Sequence, residues 1–251
     1  MALLSLCCIF AHDFMNQSDM FNIKKIKISG IEDNIKNEIL KTTGPNCDQN
    51  IFKINLFKIE KLIESHPWIE SSTVKRNFAC ELIISIVKEK PLAIVKIKNI
   101  ADILINNKGM PFKEYNPQKD KIKKLPVITG IDLKKSEYKY MFKGDLFNSV
   151  MDFLKTDYSN EIKLIKADKN MGITVETNDI YNKSHSGNKN TIQLKLGFNK
   201  YKAKIDKAIN ISEYIVKYFP KRTITIINLF DINKVFVKTK FNHALHNNLT
   251  K

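Results

Sequence analysis

Hydrophobic positions in this 251-residue chain switch several times between helical and strand spacing. From Leu56 to Ser65 the spacing is helical: Leu56, Ile59, Leu62 and Ile63 share one face, and Lys58, Glu60, Lys61 and Glu64 the other. His66-Pro67 ends this helix, because the residue before a proline is pushed out of the α region. Trp68–Arg76 is too polar and β-branched to continue it and is expected to be extended. A turn at Asn77–Glu81 leads to a second strand, Leu82–Val87. Leu82, Ile84 and Ile86 fall on one face of it, and Ile83, Ser85 and Val87 on the other. Glu89-Lys90-Pro91 closes the unit.

Upstream, Phe21–Ser29 is strand-like, but its alternation slips at Lys24-Lys25, which suggests a bulge before the stop at Gly30. Asp33 or Asn34 is placed to cap a helix over Ile35–Thr42, which Gly44-Pro45 ends. Downstream, Leu92–Ile97 and Ile103–Asn106 are strand-like, followed by a turn at Asn106–Gly109 and by Pro111-Phe112. Asn116–Lys124 reads as a polar loop. Glu137–Leu154 has helical spacing, with Tyr140, Phe147, Val150, Met151 and Leu154 for a buried side and Gly144 in its middle. Glu161–Ala167 and Ile173–Thr177 form a hairpin across Asn170-Met171-Gly172. Thr191–Leu196 is a strand ending at Gly197, Tyr201–Tyr218 a long helix, and Arg222–Leu229 and Lys234–Thr239 two last strands.

The length allows one large or two small domains. A content of 43% hydrophobic and 27% charged residues is that of a folded protein. The net charge of +16 comes almost wholly from lysine, Arg76 and Arg222 being the two arginines. Two readings of that excess are open. Nucleic-acid binding would gather basic residues on one face; a lysine-rich composition would spread them over every solvated surface. The lysines run from Lys24 to Lys251, and the scarcity of arginine argues against bidentate phosphate or base recognition. Weak attraction to anionic lipid headgroups would suit a membrane-tethered domain.

The chemistry of small-molecule catalysis is missing from the motifs. The chain has no G-x-S-x-G, no G-x-x-x-x-G-K-[ST] and no H-E-x-x-H. His12, His66, His185, His243 and His246 have no common metal spacing, and the last two read as tail residues. Asp168–Gly172 lacks the glycine and glutamate of a calcium loop and reads as a turn. Trp68 is expected to anchor helix to sheet. Cys7 and Cys8 are adjacent in an apolar run, and Cys47 and Cys80 stand alone in loops; export would permit a Cys47–Cys80 disulfide. Ala2–Phe10 is apolar but shorter than the roughly 20 residues a spanning helix needs. No basic residue precedes it, and Leu6 is too bulky before Cys7 for a lipoprotein site.

The run His66-Pro67-Trp68-Ile69, Val74-Lys75-Arg76, Leu82-Ile83-Ile84-Ser85-Ile86 and Pro91-Leu92-Ala93 resembles the POTRA domain of the FtsQ/DivIB family of bacterial cell-division proteins. Departures are Ser72 for the usual alanine, Phe78 for tryptophan, and Lys88 for a glutamate that here comes one place later as Glu89. Further on, the likeness continues through Leu104-Ile105-Asn106, Gly109, Phe112, Leu125-Pro126-Val127-Ile128-Thr129-Gly130 and Leu194-Lys195-Leu196-Gly197. It ends with Ile227-Asn228-Leu229-Phe230, where aspartate and arginine are usual for Asn228 and Phe230, and with Val235-Phe236-Val237-Lys238.

The resemblance implies an α+β protein with a POTRA domain (β-α-α-β-β, two helices on one face of a three-stranded sheet) followed by a mixed β-domain with two helices. The corresponding bounds are residues 1–20 for a truncated membrane-helix remnant and linker, 21–91 for the POTRA domain, 92–240 for the β-domain and 241–251 for a polar tail. Met1 would then be an internal start. The implied function is a non-enzymatic division scaffold, without cofactor, metal or nucleic acid, held by a single inner-membrane span with its domains in the periplasm at the septum. It would bind the FtsB/FtsL coiled coil and link it to septal wall synthesis. The partner site implied is the last hairpin, through Thr225, Ile227, Asn228, Phe230, Val235, Phe236 and Val237, where an incoming segment adds a strand. Phe236 is open to two readings, anchor or core. The alternative, a POTRA module of an outer-membrane assembly or secretion system, would need repeated POTRA units or a barrel.

Overall fold

The computed structural model describes residues 2–44, 48–98, 100–120, 122, 124–135, 140–158, 162–178 and 191–241. The chain divides into two compact units, Met1–Lys90 and Pro91–Lys251.

The first unit runs α1 (Ala2–Gln17), β1 (Lys25–Ser29), α2 (Asp33–Thr43), α3 (Leu56–Glu64), β2 (Ile69–Arg76) and β3 (Glu81–Lys88). Its sheet has the order β1-β3-β2, with β1 parallel and β2 antiparallel to the central β3. The Asn55 side chain accepts from the Lys58 N–H and starts α3. From this helix Ile59 and Ile63 enter a core that also holds Ile39, Leu82, Ile84 and Ile86. Leu62, placed on that face by spacing alone, is instead 37% exposed. Trp68 is half-buried and lies outside the buried cluster, with the Lys88 ammonium 5.5 Å from its ring centroid.

Three further local readings change. The strand expected from Phe21 starts only at Lys25. Asp19–Phe21 is a single 3-10 turn, and Asn22 bridges Asn50. The slip at Lys24-Lys25 is therefore the strand's start and not a bulge: Ile23 has already turned inward, at 2% exposure. The cap of α2 is Glu32, without a side-chain bond, rather than Asp33 or Asn34. Cys80 is buried, with φ +59, in a turn organised by the Asn77 carboxamide oxygen, which accepts from the Ala79 and Glu81 N–H groups. Cys47, its suggested disulfide partner, lies outside the described residues, as do His185, His243 and His246.

The second unit contains β4 (Pro91–Val95), β5 (Ile103–Asn106), β6 (Pro111–Glu114), β7 (Val127–Thr129), β8 (Lys134–Lys135), β9 (Tyr140–Met141), α4 (Asp145–Leu154), β10 (Ile162–Asp168), β11 (Gly172–Asn178), β12 (Thr191–Gly197), α5 (Tyr201–Tyr218), β13 (Arg222–Asp231) and β14 (Lys234–Phe241). Nine of the strands form one sheet, in the order β14-β13-β12-β11-β10-β7-β4-β5-β6. Phe147, Val150, Phe153 and Leu154 of α4 and Tyr201, Ile205 and Ala208 of α5 join the alternate strand positions in its core. The helix expected from Glu137 begins at Asp145. Gly144 holds φ +120 at its N-cap, a conformation that breaks a helix rather than sitting inside one, and Tyr140 falls in β9. Residues 136–139 lie outside the described residues. Both parts together are the α+β arrangement read from the chain: a β-α-α-β-β unit, then a sheet-rich region with helices.

Candidate functional site

The end of the nine-stranded sheet is built on one helix and one hairpin. Between β12 and α5 the chain turns through three positive φ values, at Gly197, Asn199 and Lys200. Gly172 sits against this turn so closely that a Cβ there would lie 2.4 Å from the Gly197 carbonyl carbon. Lys204, on the first turns of α5, is buried, and its Nζ donates to the carbonyls of Leu196 and Phe198. One turn on, Lys207 donates to the Ile232 carbonyl at the hairpin tip (2.5 Å). Two lysines thus tie α5 to the loops on either side of it. Burial lowers the Lys204 pKa, the nearby Lys200 charge adds to that, and Asp231 opposes it.

The hairpin β13–β14 turns through Asp231, whose carboxylate accepts from the Asn233 N–H (2.8 Å). β13 is paired on both sides, antiparallel with β14 and parallel with β12, whereas β14 is paired with β13 alone and ends the sheet. The free side of β14 therefore offers main-chain donors and acceptors that no described strand uses.

The seven residues singled out in the sequence are distributed over this hairpin in three ways. Ile227 is fully buried, so its side chain belongs to the core and not to the surface. Thr225, Asn228, Val235 and Val237 are half-buried; the Thr225 hydroxyl donates to the Lys238 carbonyl (3.0 Å), and the two valines pack on the core's rim. Phe230 and Phe236 are exposed, at 43% and 60%. The Phe230 ring lies over Gly197, where a Cβ would meet it at 3.0 Å. Phe236 resolves to the surface reading, with the Lys234 ammonium 5.8 Å from its centroid.

Sequence reasoning missed the other wall of the site. Tyr214 and Ile215 on α5, with Phe219 at its C-cap, face Val237 and Thr239 of β14 across a groove of about 830 Å³. The Tyr214 ring centroid is 4.7 Å from that of Tyr218 and 6.2 Å from that of Phe219. The available signal was three aromatic residues in the last six positions before Pro220, more than one buried stripe can take. Among the described residues, no group of three or more His, Cys, Asp or Glu side chains is gathered as for a metal. No helix among them is long and apolar enough to cross a membrane.

Comparison with known proteins agrees with the fold. The family described as "POTRA domain, FtsQ-type" matches residues 21–89. Among curated proteins, the cell division protein FtsQ of Syntrophotalea carbinolica is 30% identical over 123 residues, 49% of this chain and 42% of that protein. FtsQ of Myxococcus fulvus is 24% identical over 115 residues, covering 46% and 39%. The cell division protein DivIB of Clostridium tetani is 27% identical over 136 residues, covering 54% and 46%. The matched part thus spans less than half the length of each of these relatives. Residues 21–89 thus carry an FtsQ-type POTRA domain, and over about half its length the chain is similar to FtsQ and DivIB cell-division proteins.

Proposed function

We propose that this protein is a non-enzymatic scaffold of the division machinery that captures an FtsB/FtsL-type membrane coiled-coil partner on the free edge of β14. The observation that carries this reading is the combination of an edge strand, paired among the described residues with β13 alone, and an apolar groove beside it. An added strand gains main-chain hydrogen bonds from the edge, and the groove takes its inward side chains. In this reading the protein is held at the inner membrane, with both units in the periplasm at the septum, and joins its partner to the wall-synthesis machinery. Thr225, Asn228, Val235 and Val237 shape the hairpin, Phe230 and Phe236 supply exposed anchors, and Ile227 supports them from the core.

Co-purification with the FtsB- and FtsL-type proteins of the same cell tests it. Phe236→Asp and Val237→Pro are expected to lose the partner while the chain keeps its melting temperature. Val237→Pro acts on the main chain of the edge strand, since proline has no N–H to offer an incoming segment. Unchanged retention by both variants would rule this edge out.

A further inference from the structure

The two faces of β14 differ in chemistry. Val235, Val237 and Thr239 alternate along one face, and the last two line the groove with Tyr214 and Ile215 of α5 and its C-cap Phe219. On the opposite face stand Lys234, Phe236, Lys238 and Lys240, every second residue, all exposed. Among the described residues, none of these three lysines has a carboxylate at ion-pair distance; Lys234 lies over the Phe236 ring. Asp231 is aligned with Lys234 across the hairpin, but no ion pair forms between them; the rows of Lys238 and Phe236 supply no free carboxylate. Lys238 is aligned with Ile226, Gln193 and then Glu176, and that carboxylate is already held 2.6 Å from Lys166. The next row runs Phe236, Asn228, Lys195 and Thr174, and adds a further positive charge.

Resting on the edge-capture reading above, we infer that the segment added to β14 alternates apolar with acidic residues. Successive side chains of an added strand point to opposite faces. One set therefore enters the groove beside Tyr214 and Phe219, and the other meets the ladder Lys234, Lys238 and Lys240. The same ladder disfavours a second copy of this chain as the occupant. Pairing β14 with β14 sets lysine near lysine, and like charges across a strand pair repel. Lysines on an edge strand are also a common guard against self-pairing. The partner is thus selected by attraction to carboxylates and by exclusion of basic strands.

Binding of three ten-residue peptides to the intact chain, followed by calorimetry, tests this. One peptide alternates valine with glutamate, the second valine with lysine, the third valine with threonine. The glutamate peptide is expected to bind about tenfold more tightly than the threonine one, two to three exposed ion pairs being worth that much together. Its advantage shrinks as salt rises, and the lysine peptide is rejected. In the double variant Lys238→Glu/Lys240→Glu the order of the glutamate and lysine peptides inverts. Equal binding of the threonine or lysine peptide, binding of none, or a glutamate preference unmoved by the double variant overturns the inference. Val237→Pro separates it from the reading beneath. If that variant abolishes binding of three equally bound peptides, edge capture stands and the acidic code fails. If the glutamate peptide still binds Val237→Pro as tightly, edge capture itself fails.

Discussion

Ile227 and Val237 stand opposite each other across the last hairpin, yet only Ile227 is enclosed. Val237 is half-buried at the rim of the groove. The pair therefore separates stability from recognition. Ile227→Ala is expected to lower stability by about 2–5 kcal/mol, the range for truncating a buried aliphatic side chain. Val237→Ala is expected to cost about 1 kcal/mol or less while weakening partner binding, since it removes less buried surface. Urea melts and partner titrations on both variants check the contrast. Equal losses of stability would mean that the groove is part of the core.

Gly30 connects β1 to α2 at φ +91, and a Cβ there would lie 1.9 Å from the Ile86 carbonyl oxygen on β3. The obstacle is main chain, which cannot swing aside as a long side chain does. Gly30→Ala combines the positive-φ penalty with that clash and is expected to destabilise by at least about 2 kcal/mol. A denaturant melt reads this directly; a variant as stable as the parent would show that β1 and β3 separate freely at this end.

How far the chain could be read in advance follows the range of the forces involved. The helix Tyr201–Tyr218 was legible to the residue, because its limits are set locally by the turn after Gly197 and by Pro220. The start of α4 was not, because the positive φ of Gly144 that excludes it from the helix leaves no trace in hydrophobic spacing. At β1, spacing does not distinguish the inward turn of Ile23 from one more strand residue; only its burial does. The hairpin β13–β14 was visible as two strand patterns, and family likeness pointed to it. That β14 ends the sheet is a matter of strand order over the whole second unit, which no local pattern encodes. The groove has the same origin: Tyr214, Ile215 and Phe219 read as an ordinary helix end, and become a wall only once β14 is opposite them.

Lys204 makes a prediction about pH. Burial holds its pKa below the ordinary lysine value, so in the interval between the two the folded chain binds fewer protons than the unfolded chain. Stability from this group therefore rises with pH across that interval and is flat below it. Lys204→Met is expected to remove that rise, and to weaken the turn after Gly197 by leaving the carbonyls of Leu196 and Phe198 without their donor. Urea melts taken from neutral to alkaline pH on parent and variant provide the measurement. Parallel profiles would show that Lys204 is solvated rather than enclosed.

We propose that this chain works at the division site through its last strand, β14. The most direct test is the position in dividing cells of a fluorescent fusion to the full-length gene product, together with that of the FtsB-type protein of the same cell. The account predicts a band of both at midcell as constriction begins, and loss of the partner from that band in cells carrying Val237→Pro. An even envelope signal for the parent fusion, or a partner band unchanged by the variant, would contradict it.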